Sequence, residues 1–368
     1  MKLKRITILN HLTGWNVKDL KFDSYLTLLV GASGVGKTLI LRAIKYISSI
    51  ANGKSINGFE WDITFEISGN TYHWTGEFDK VNDLSNYFKR DTQEYPIICE
   101  FLRCGDDVII HREQEQILFN NQQTVKLDTA KSAIALLKEE DQIKPVFNAF
   151  HQIFELVNSN DGIRITPFLS QKRDEIKDLN EIHNSMLLSP VEKLFILRQQ
   201  CLPQFEKIKE LFTGIFKNIE DIDFSMEQLF DDTMYPVLKI KEKGVDAWIM
   251  QNNISSGMFR TLSQITFLVL AQDGDIILID EFENGLGVNC IDQLADQILD
   301  TDQNIQVIMT SHHPYIINSI PFEKWKVVTR NRCDLKVLTA DELQIGKYSK
   351  HDAFMQLIQS NAYRIGVE

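Results

Sequence analysis

One stretch near the amino terminus, LTLLVGASGVGKTLILRAI at residues 26–44, restricts the fold more than any other part of the chain. A short apolar run typical of a buried strand leads into a glycine-rich turn, and helical apolar spacing begins directly after the turn. Residues 31–38 match the pattern G-x-x-x-x-G-K-[ST] in full. Backbone N–H groups of such a loop curl around phosphate oxygens, and the helix that follows adds a favourable dipole. The stretch therefore predicts a strand, a phosphate-binding loop and a helix in direct succession.

The residues of this loop have separate predicted roles, and the predicted ligands are ATP and Mg²⁺. Glycines let the backbone approach the phosphates, Lys37 supplies a positive charge, and Thr38 offers its hydroxyl to Mg²⁺. A chance glycine-rich turn is the alternative, but the strand and helix on either side argue against it. The predicted ATP-binding residues of the loop are Gly31, Ser33, Gly34, Gly36, Lys37 and Thr38.

A second apolar strand ends in acidic residues, in DIILIDEF at residues 275–282. Asp280 lies at the end of this strand, where a parallel sheet presents side chains to its ligand crevice. We expect Asp280 to orient the Mg²⁺ shell and Glu281 to accept a proton from the attacking water, as phosphoryl transfer requires. The alternative is that both carboxylates only cap the next turn.

Composition and charge restrict the class of protein. With 43% hydrophobic and 24% charged residues, the 368-residue chain is ordinary for a globular protein with a real core. No stretch approaches the ~18 apolar residues of a membrane span, and the amino terminus alternates like an opening strand rather than a signal peptide. Five scattered cysteines complete no zinc site, so we expect reduced thiols in a cytoplasmic protein with no membrane partner. The net charge of −12 argues against a surface coated for nucleic acid, although a local basic face stays open.

Two strand pairs with polar turns follow the first helix. Residues 61–78 alternate and turn at Gly69-Asn70, which predicts a β-hairpin, and residues 95–125 repeat this style. We therefore expect an antiparallel β-rich lobe around the first helix. From Ala130 to about Val157 the apolar spacing becomes helical and predicts helix.

The rest of the chain predicts a helical insertion and a second series of strands and helices. Residues 172–217 have helical spacing broken into short pieces by Pro190 and Pro203, without the uninterrupted heptads of a coiled coil. Strand alternation returns at residues 233–250. Strands then alternate with helices, which implies a mostly parallel sheet and an α/β fold. The predicted domain bounds are 1–157, 158–225 and 226–368.

A short helix start, ISSGM at residues 254–258, lies shortly before the acidic strand. By itself it is typical of a helix cap, because a serine oxygen accepts hydrogen bonds from N–H groups of the first turn. With the phosphate loop and Asp280 in this order, the chain resembles the ABC-type ATPases, whose L-S-G-G-Q signature occupies this place. Ser255 and Gly257 match the signature, whereas its leucine, first glycine and glutamine are not matched. The resemblance implies that Ser255 and Gly257 contact the γ-phosphate of an ATP held by a second subunit.

A histidine pair follows the last predicted strand of the sheet, in VIMTSHHPYII at residues 307–317. The segment resembles the ABC pattern T-[TS]-H-x-P, in which the histidine contacts the γ-phosphate. The resemblance assigns that role to His312 rather than to His313, with a purely structural histidine as the alternative. No glutamine is identified as the relay between Mg²⁺ and water that many relatives use.

The surroundings of these motifs resemble stand-alone ATPases of the SMC, RecF and OLD types more than transporter subunits. DEFENGLG at residues 280–287 is similar to D-E-[PI]-E-N-x-L-H, with Gly287 in place of the histidine. The resemblance implies an ABC-ATPase head, that is, a P-loop mixed sheet with an antiparallel β-rich subdomain and a short helical insertion. About 35 residues follow the segment TRNR, too few for a built-in Toprim nuclease.

For function, the resemblance implies an ATP-hydrolysing switch that forms a homodimer or a higher oligomer and controls a separate effector, such as a nuclease or toxin. Bacterial members with this layout often belong to anti-phage defence operons. Two alternatives stay open at this point. One is a RecF- or SMC-like DNA-binding ATPase in DNA repair or maintenance, for which DNA is a partner; the other is a nucleotide-binding scaffold with negligible turnover.

Overall fold

The computed structural model describes most of the chain, which divides into two units. The described residues are 1–81, 94–156, 178–185, 188–228, 234–299, 303–346 and 350–366. The first unit comprises Met1–Glu155, Asp273–Phe282 and Asn304–Glu368, and the second comprises Leu156–Gln272 and Glu283–Gln303. The three domain segments inferred from the sequence stay a prediction. Within the described ranges, no helix has both the length and the apolar character that crossing a bilayer requires.

The strands are numbered in chain order. They are β1 (Lys2–Asn10), β2 (Asn16–Lys21), β3 (Leu26–Val30), β4 (Phe59–Ile67), β5 (Asn70–Phe78), β6 (Ile97–Cys104), β7 (Asp107–Glu113), β8 (Gln116–Phe119), β9 (Gln122–Gln123), β10 (Ile153–Leu156), β11 (Ile219–Gln228), β12 (Met234–Glu242), β13 (Trp248–Met250), β14 (Ile276–Ile279), β15 (Gln306–Thr310), β16 (Trp325–Asn331) and β17 (Asp334–Thr339).

The α-helices are numbered in the same way. They are α1 (Lys37–Ala51), α2 (Ala133–Leu136), α3 (Lys144–His151), α4 (Leu179–Asn184), α5 (Pro190–Gln199), α6 (Pro203–Ile215), α7 (Ser256–Leu270), α8 (Val288–Leu299), α9 (Pro314–Ser319), α10 (Lys350–Gln359) and α11 (Asn361–Arg364). Short 3-10 turns lie at Gln251–Asn253 and Phe322–Lys324.

One mixed sheet of 14 strands organises the first unit, in the spatial order β10-β14-β15-β3-β16-β17-β2-β1-β4-β5-β6-β7-β8-β9. Strand β14 pairs parallel with β15, β15 with β3 and β3 with β16, whereas β16 pairs antiparallel with β17. Every residue of β3, β14 and β15 is buried, as expected of parallel strands covered on both faces. The sequence predicted a mostly parallel sheet, but parallel pairing is confined to one part of a sheet that is mixed as a whole. This parallel part brings the ends of β3, β14 and β15 to one edge.

The antiparallel part of this sheet runs from β1 through β4, β5, β6, β7 and β8 to β9. The predicted hairpin of β4 and β5 is confirmed, but its turn is formed by Ser68 and Gly69 rather than by Gly69 and Asn70. Both turn residues have positive φ, 50° and 82°, which is the backbone geometry of the tightest hairpins. Asn70 is therefore free to pair with Ile67 as the first residue of β5.

The continuous helix predicted from Ala130 to about Val157 is wrong in part. Only α2 and α3 are helical, and β10 follows them as a strand beside β14. The backbone N–H of Ile276 donates to the Gln152 carbonyl at 2.8 Å, next to this pairing. The apolar run IFEL is equally compatible with a buried strand, and the edge of the parallel sheet supplies the hydrogen-bond partners that decide the outcome.

Helix α1 begins directly after the glycine-rich loop and packs on the sheet through one apolar stripe. Ile40, Ile44 and Ile47 follow helical spacing and are buried, with exposures of 0% or 1%. They belong to a core that also contains the large aromatic side chains of the antiparallel strands, among them Trp61 and Trp74. The helix is thereby fixed on the sheet, and the loop at its start is anchored at both ends.

The second unit contains a three-stranded antiparallel sheet, β11-β12-β13, and short helices. The predicted breaks at Pro190 and Pro203 are confirmed, because each proline starts a helix, where its missing N–H costs nothing. Ser189 and Glu192 form a reciprocal capping box at the start of α5. Residues 172–177 and 186–187 of the predicted helical stretch lie outside the described residues.

Candidate nucleotide-binding site

The loop between β3 and α1 has a backbone that only glycine accommodates at two of its positions. Gly31 has φ 144°, and a Cβ there would lie 2.5 Å from the Val328 carbonyl oxygen. Gly36 has φ 111°, and a Cβ there would lie 2.6 Å from Leu335 Cδ2. Strands β16 and β17 therefore fix the loop from outside, which explains why glycine occupies both positions.

The first turn of α1 is open to an anion. No side chain caps the helix, and no acidic residue lies in its first turn. The first N–H groups of a helix lack partners within the helix and carry its positive dipole end, so they suit phosphate oxygens. Among the other predicted loop residues, Ser33 and Gly34 are exposed at the tip, and Gly34 has φ 80°.

Lys37 lies within this loop rather than on the surface. Its side chain is only 5% exposed, and Nζ donates hydrogen bonds to the carbonyl oxygens of Gly31 and Ala32, both at 2.9 Å. A buried ammonium needs such acceptors because desolvation of a charge is costly. The geometry places a positive charge at the centre of the loop, where phosphate oxygens would be held.

Thr38, Asp280 and Thr310 form one hydrogen-bonded chain. The Thr38 hydroxyl donates to Asp280 Oδ2 at 2.9 Å, and the Thr310 hydroxyl donates to Asp280 Oδ1 at 2.7 Å. The parallel pairing of β14 and β15 explains this arrangement, since Asp280 follows β14 and Thr310 ends β15. Hydroxyl and carboxylate oxygens are ligands that Mg²⁺ accepts beside substrate phosphates, so Thr38 and Asp280 fit the predicted metal role.

Glu281 is held in an unusual backbone conformation next to this chain. Its φ is 49°, a left-handed value that is uncommon for residues other than glycine. Its backbone N–H donates to the Thr310 hydroxyl oxygen at 2.7 Å, and its side chain is exposed. Strained backbone of this kind is often found at functional sites, where the surrounding structure holds it in place.

The two adjacent histidines occupy different positions relative to α9. His313 is the residue before α9, and its Nδ1 accepts a hydrogen bond from the Tyr315 backbone N–H at 3.3 Å. The N–H of His313 also donates to the Ser311 hydroxyl at 3.0 Å. His313 therefore has a structural role as a helix cap. His312 precedes it in the same loop and is half-buried, so the position assigned to the γ-phosphate contact is not the capping position.

Ser255 and Gly257 lie in the second unit, at the start of α7. Ser255 is exposed and caps this 15-residue helix, its hydroxyl accepting from the Met258 N–H at 3.3 Å. Gly257 contacts the 283–303 segment of the same unit, since a Cβ there would lie 3.1 Å from the Gly285 carbonyl oxygen. The cap expected from the sequence is confirmed, and the contact with a second subunit's ATP stays a prediction.

Two contacts of the site were not found from the sequence. Thr310 links Asp280 to the backbone of Glu281, and only its place at the end of an apolar strand could have indicated it. Gly366 lies against the loop, where a Cβ would come within 2.3 Å of Val35, and its carbonyl accepts from the Arg330 N–H at 2.7 Å. No local pattern signals that second contact, because it joins residues more than 300 positions apart.

Comparisons with known proteins identify the family of the chain. Residues 1–317 match the family described as the AAA ATPase domain. The chain is similar to a protein of Escherichia coli named "Retron Ec83 probable ATPase", with 22% identity over 371 aligned positions that cover 83% of this chain and 67% of the relative.

Solved structures show the same fold at low identity. One is an SMC head bound to the C-terminal winged-helix domain of ScpA, with a TM-score of 0.52, 14% identity and coverage of 92% of this chain and 98% of the other. Another is an SMC head with an extended coiled coil, bound to the C-terminal domain of ScpA from Pyrococcus furiosus, with a TM-score of 0.50, 13% identity and coverage of 93% and 98%. Because the family match spans most of the chain, the protein belongs to the AAA ATPase domain family and has the ABC-type fold of an SMC head.

Proposed function

We propose that the protein is a cytoplasmic, Mg²⁺-dependent ATPase that acts as a switch in anti-phage defence. In this proposal two chains close head-to-tail around two ATP molecules, and each chain contributes Ser255 and Gly257 to the ATP held by the other. Hydrolysis reopens the dimer, and a separate effector responds to the change. The observation that carries the proposal is the chain of Thr38, Asp280, Thr310 and Glu281 beside the phosphate loop.

Each residue has one chemical task in this proposal. Lys37 neutralises phosphate oxygens within the loop, and Thr38 and Asp280 hold Mg²⁺ between them, which supplies charge neutralisation at the phosphates. Glu281 orients the attacking water and accepts its proton, and His312 donates to the γ-phosphate oxygens. The exposed carboxylate of Glu281 and the separate capping role of His313 support this division of tasks.

The dimer is supported by the exposed start of α7. Ser255 and Ser256 are exposed at the positive end of a 15-residue helix, a geometry suited to an anion. The chain already has a phosphate loop at the start of α1, so a second phosphate-binding helix end is most useful to another chain's nucleotide. The defence role is supported by similarity to an ATPase named for a retron, and the SMC heads show that this fold is compatible with a separately bound protein.

A mixing experiment tests the shared site directly. Glu281→Gln leaves ATP binding but removes the base, and Ser255→Arg blocks the contact that this chain would offer its partner. In a head-to-tail dimer that contains one chain of each variant, both defects fall in the same site and the other site is intact. Half of the dimers in an equal mixture are of this kind, so hydrolysis recovers to about a quarter of the wild-type rate. The control is a mixture of Glu281→Gln with Lys37→Ala: both defects lie on the ATP-holding side, so neither site of a mixed pair is intact and hydrolysis is not restored. Two inactive variants that stay inactive when mixed, although each melts like wild type and binds ATP, contradict the shared site.

Two further measurements separate the parts of the proposal. Glu281→Gln with saturating Mg-ATP is expected to accumulate a dimer in light scattering, and a variant that stays monomeric and hydrolyses normally contradicts the switch.

A second candidate, which follows from the resemblance of the sequence motifs to RecF- and SMC-type proteins, is a DNA-binding ATPase. Stimulation of hydrolysis by duplex DNA that declines steeply with salt would support this candidate, because phosphate contacts depend on counterion release.

A further inference from the structure

A group of three potential metal ligands lies at the end of β1, on strands that the nucleotide site does not use. His11 follows β1 directly, and its backbone N–H donates to the Gly58 carbonyl at 2.8 Å. Its Nε2 atom lies 2.9 Å from Glu60 Oε2 and 3.5 Å from Glu77 Oε1. The three ligand atoms all lie within 4.8 Å of one another, and the side chains are half-buried.

Two carboxylates of this group lie opposite each other on neighbouring strands. Glu60 and Glu77 are directly opposite each other in the register of β4 and β5, and like charges in that arrangement destabilise a sheet. Other carboxylates on the same face of β4 have a permanent cation nearby: Asp62 lies 3.6 Å from Arg5, and Glu66 lies 2.9 Å from Lys4.

The basic side chain beside Glu60 and Glu77 is a histidine. Among the residues that the structure describes, His11 alone has a basic nitrogen within 4.0 Å of either carboxylate. Two carboxylates and an imidazole nitrogen this close together form a donor set suited to a divalent cation, which would also offset the repulsion between the opposed carboxylates.

The spacing and the chemistry of the donors fit a transition-metal ion. Zn²⁺ binds imidazole nitrogen and carboxylate oxygen at about 2.0–2.2 Å, which at tetrahedral angles separates ligand atoms by about 3.4 Å. The two observed separations from His11 Nε2, 2.9 and 3.5 Å, bracket that value. An imidazole ligand favours Zn²⁺ and similar ions over Mg²⁺ and Ca²⁺, which prefer oxygen alone.

Cys99 is a neighbour of this group rather than one of its ligands. It lies opposite Glu77 in the register of β5 and β6. Burial raises the pKa of its thiol, and the nearby carboxylates of Glu77 and Glu60 raise it further. Cys99 does not belong to the group whose ligand atoms all lie within 4.8 Å of one another, so the donor set consists of one nitrogen and two oxygens.

We propose that His11, Glu60 and Glu77 bind one divalent transition-metal ion of the Zn²⁺ type. The ion joins the beginning of the loop between β1 and β2 to strands β4 and β5 and neutralises the opposed carboxylates. This site is separate from the oxygen-only Mg²⁺ site proposed at Thr38 and Asp280. It does not depend on ATP hydrolysis or on dimer formation.

The test is Zn²⁺ binding by chelator-treated full-length protein without nucleotide, measured by calorimetry. We expect one ion per chain at this site, and we expect His11→Ala and Glu77→Gln each to weaken binding at least about tenfold. The matched control is His73→Ala. His73 pairs with Asp62 at 2.8 Å on the same two strands, but it belongs to no three-ligand group within the described ranges.

Two readouts separate metal binding from a folding defect. Zn²⁺ should raise the unfolding temperature of wild type and of His73→Ala but not of His11→Ala, since a ligand stabilises only the state that binds it. Co²⁺ should give visible bands of a four-coordinate nitrogen and oxygen site without a sulfur charge-transfer band. Equal Zn²⁺ affinity of wild type and His11→Ala overturns the proposal, and so does an equal loss in His73→Ala.

Discussion

The parallel and antiparallel parts of the large sheet use polar residues in opposite ways. In the parallel part, polar side chains lie beyond the ends of the strands, where Asp280 is half-buried and Glu281 is exposed on a left-handed backbone. In the antiparallel part, Glu100 and Arg112 lie inside the sheet packing, with exposures of 0% and 1%. The first arrangement places carboxylates at the strand ends, where a parallel sheet presents side chains to a ligand, and the second buries charged groups within the protein.

The buried pair holds a connecting segment against the sheet. Glu100 accepts hydrogen bonds from Trp74 Nε1 at 3.0 Å, from the Ser132 hydroxyl at 2.5 Å and from the Ala133 N–H at 2.8 Å. Arg112 donates to three carbonyl oxygens of the same segment, those of Asp128, Thr129 and Lys131. Burial raises the pKa of the Glu100 carboxyl and lowers the pKa of the Arg112 guanidinium, so leaving water is unfavourable for both charged forms. The segment leading to α2 is therefore held by a buried hydrogen-bond network, and the loss of one member would leave other buried groups without partners.

The difference shows that the buried charged network and the strained backbone at an exposed residue have different roles. A buried network is tolerated because every donor and acceptor is paired, and loss of one member leaves the others without partners. The parallel part instead has an exposed residue, Glu281, with a strained backbone, and this strain lowers the stability of the segment. Substitutions in the two parts should therefore change different measured quantities.

The largest expected effect is on stability, from Glu100→Ala. It leaves the Arg112 guanidinium without its buried counter-charge and removes the acceptor of three hydrogen bonds, so the free energy of unfolding should fall by about 3–5 kcal/mol. Denaturant unfolding measures the change. Glu115→Ala, which removes an exposed ion pair with Lys126 on the same sheet, should leave the midpoint nearly unchanged. Equal midpoints for the two variants would contradict a structural role for the buried network.

A smaller effect, on rate rather than on folding, is expected from Thr310→Val. The substitution keeps the shape but removes hydrogen bonds to the Asp280 carboxylate and from the Glu281 N–H. Hydrogen bonds to charged groups contribute about 1.5–3 kcal/mol, so single-turnover hydrolysis should slow by roughly 10- to 100-fold. The control is Thr329→Val, a buried threonine of β16 whose hydroxyl donates to the Lys336 carbonyl. Similar rates for the two variants would remove Thr310 from the site.

The two parts were also unequally predictable from the sequence. The glycine-rich loop and DIILIDEF are continuous motifs, so the loop, α1 and the meeting of Thr38 with Asp280 follow from local pattern and strand order. Glu100 is different: IICEFLRC contains apolar residues at both alternating sets of positions, and the pattern does not show that Glu100 faces inward with Leu102. The strand β10 was missed for a similar reason, because its partner β14 lies more than 100 residues later. Long-range pairing decides both cases.

The backbone strain at Glu281 leads to a prediction of about 1 kcal/mol. Glycine adopts left-handed φ without steric cost, whereas alanine does not, so Glu281→Gly should be more stable than Glu281→Ala by about 1 kcal/mol. This order is the reverse of the one expected at an ordinary position. Thermal unfolding measures this difference. Because both variants lack the carboxylate, the difference reports the backbone strain alone. A more stable alanine variant would show that no strain is held there.

The smallest expected effect separates the two adjacent histidines. His313→Ala removes the side chain that accepts from the Tyr315 N–H at the start of α9, and loss of a helix cap costs about 0.5–2 kcal/mol. Since α9 has six residues, we expect the lower end of that range and nearly normal hydrolysis. His312→Ala should show the opposite pattern, with stability kept and hydrolysis reduced. If His313→Ala slowed hydrolysis as much as His312→Ala, the capping residue would also take part in the reaction, and the separation of structural from chemical groups would fail at this loop.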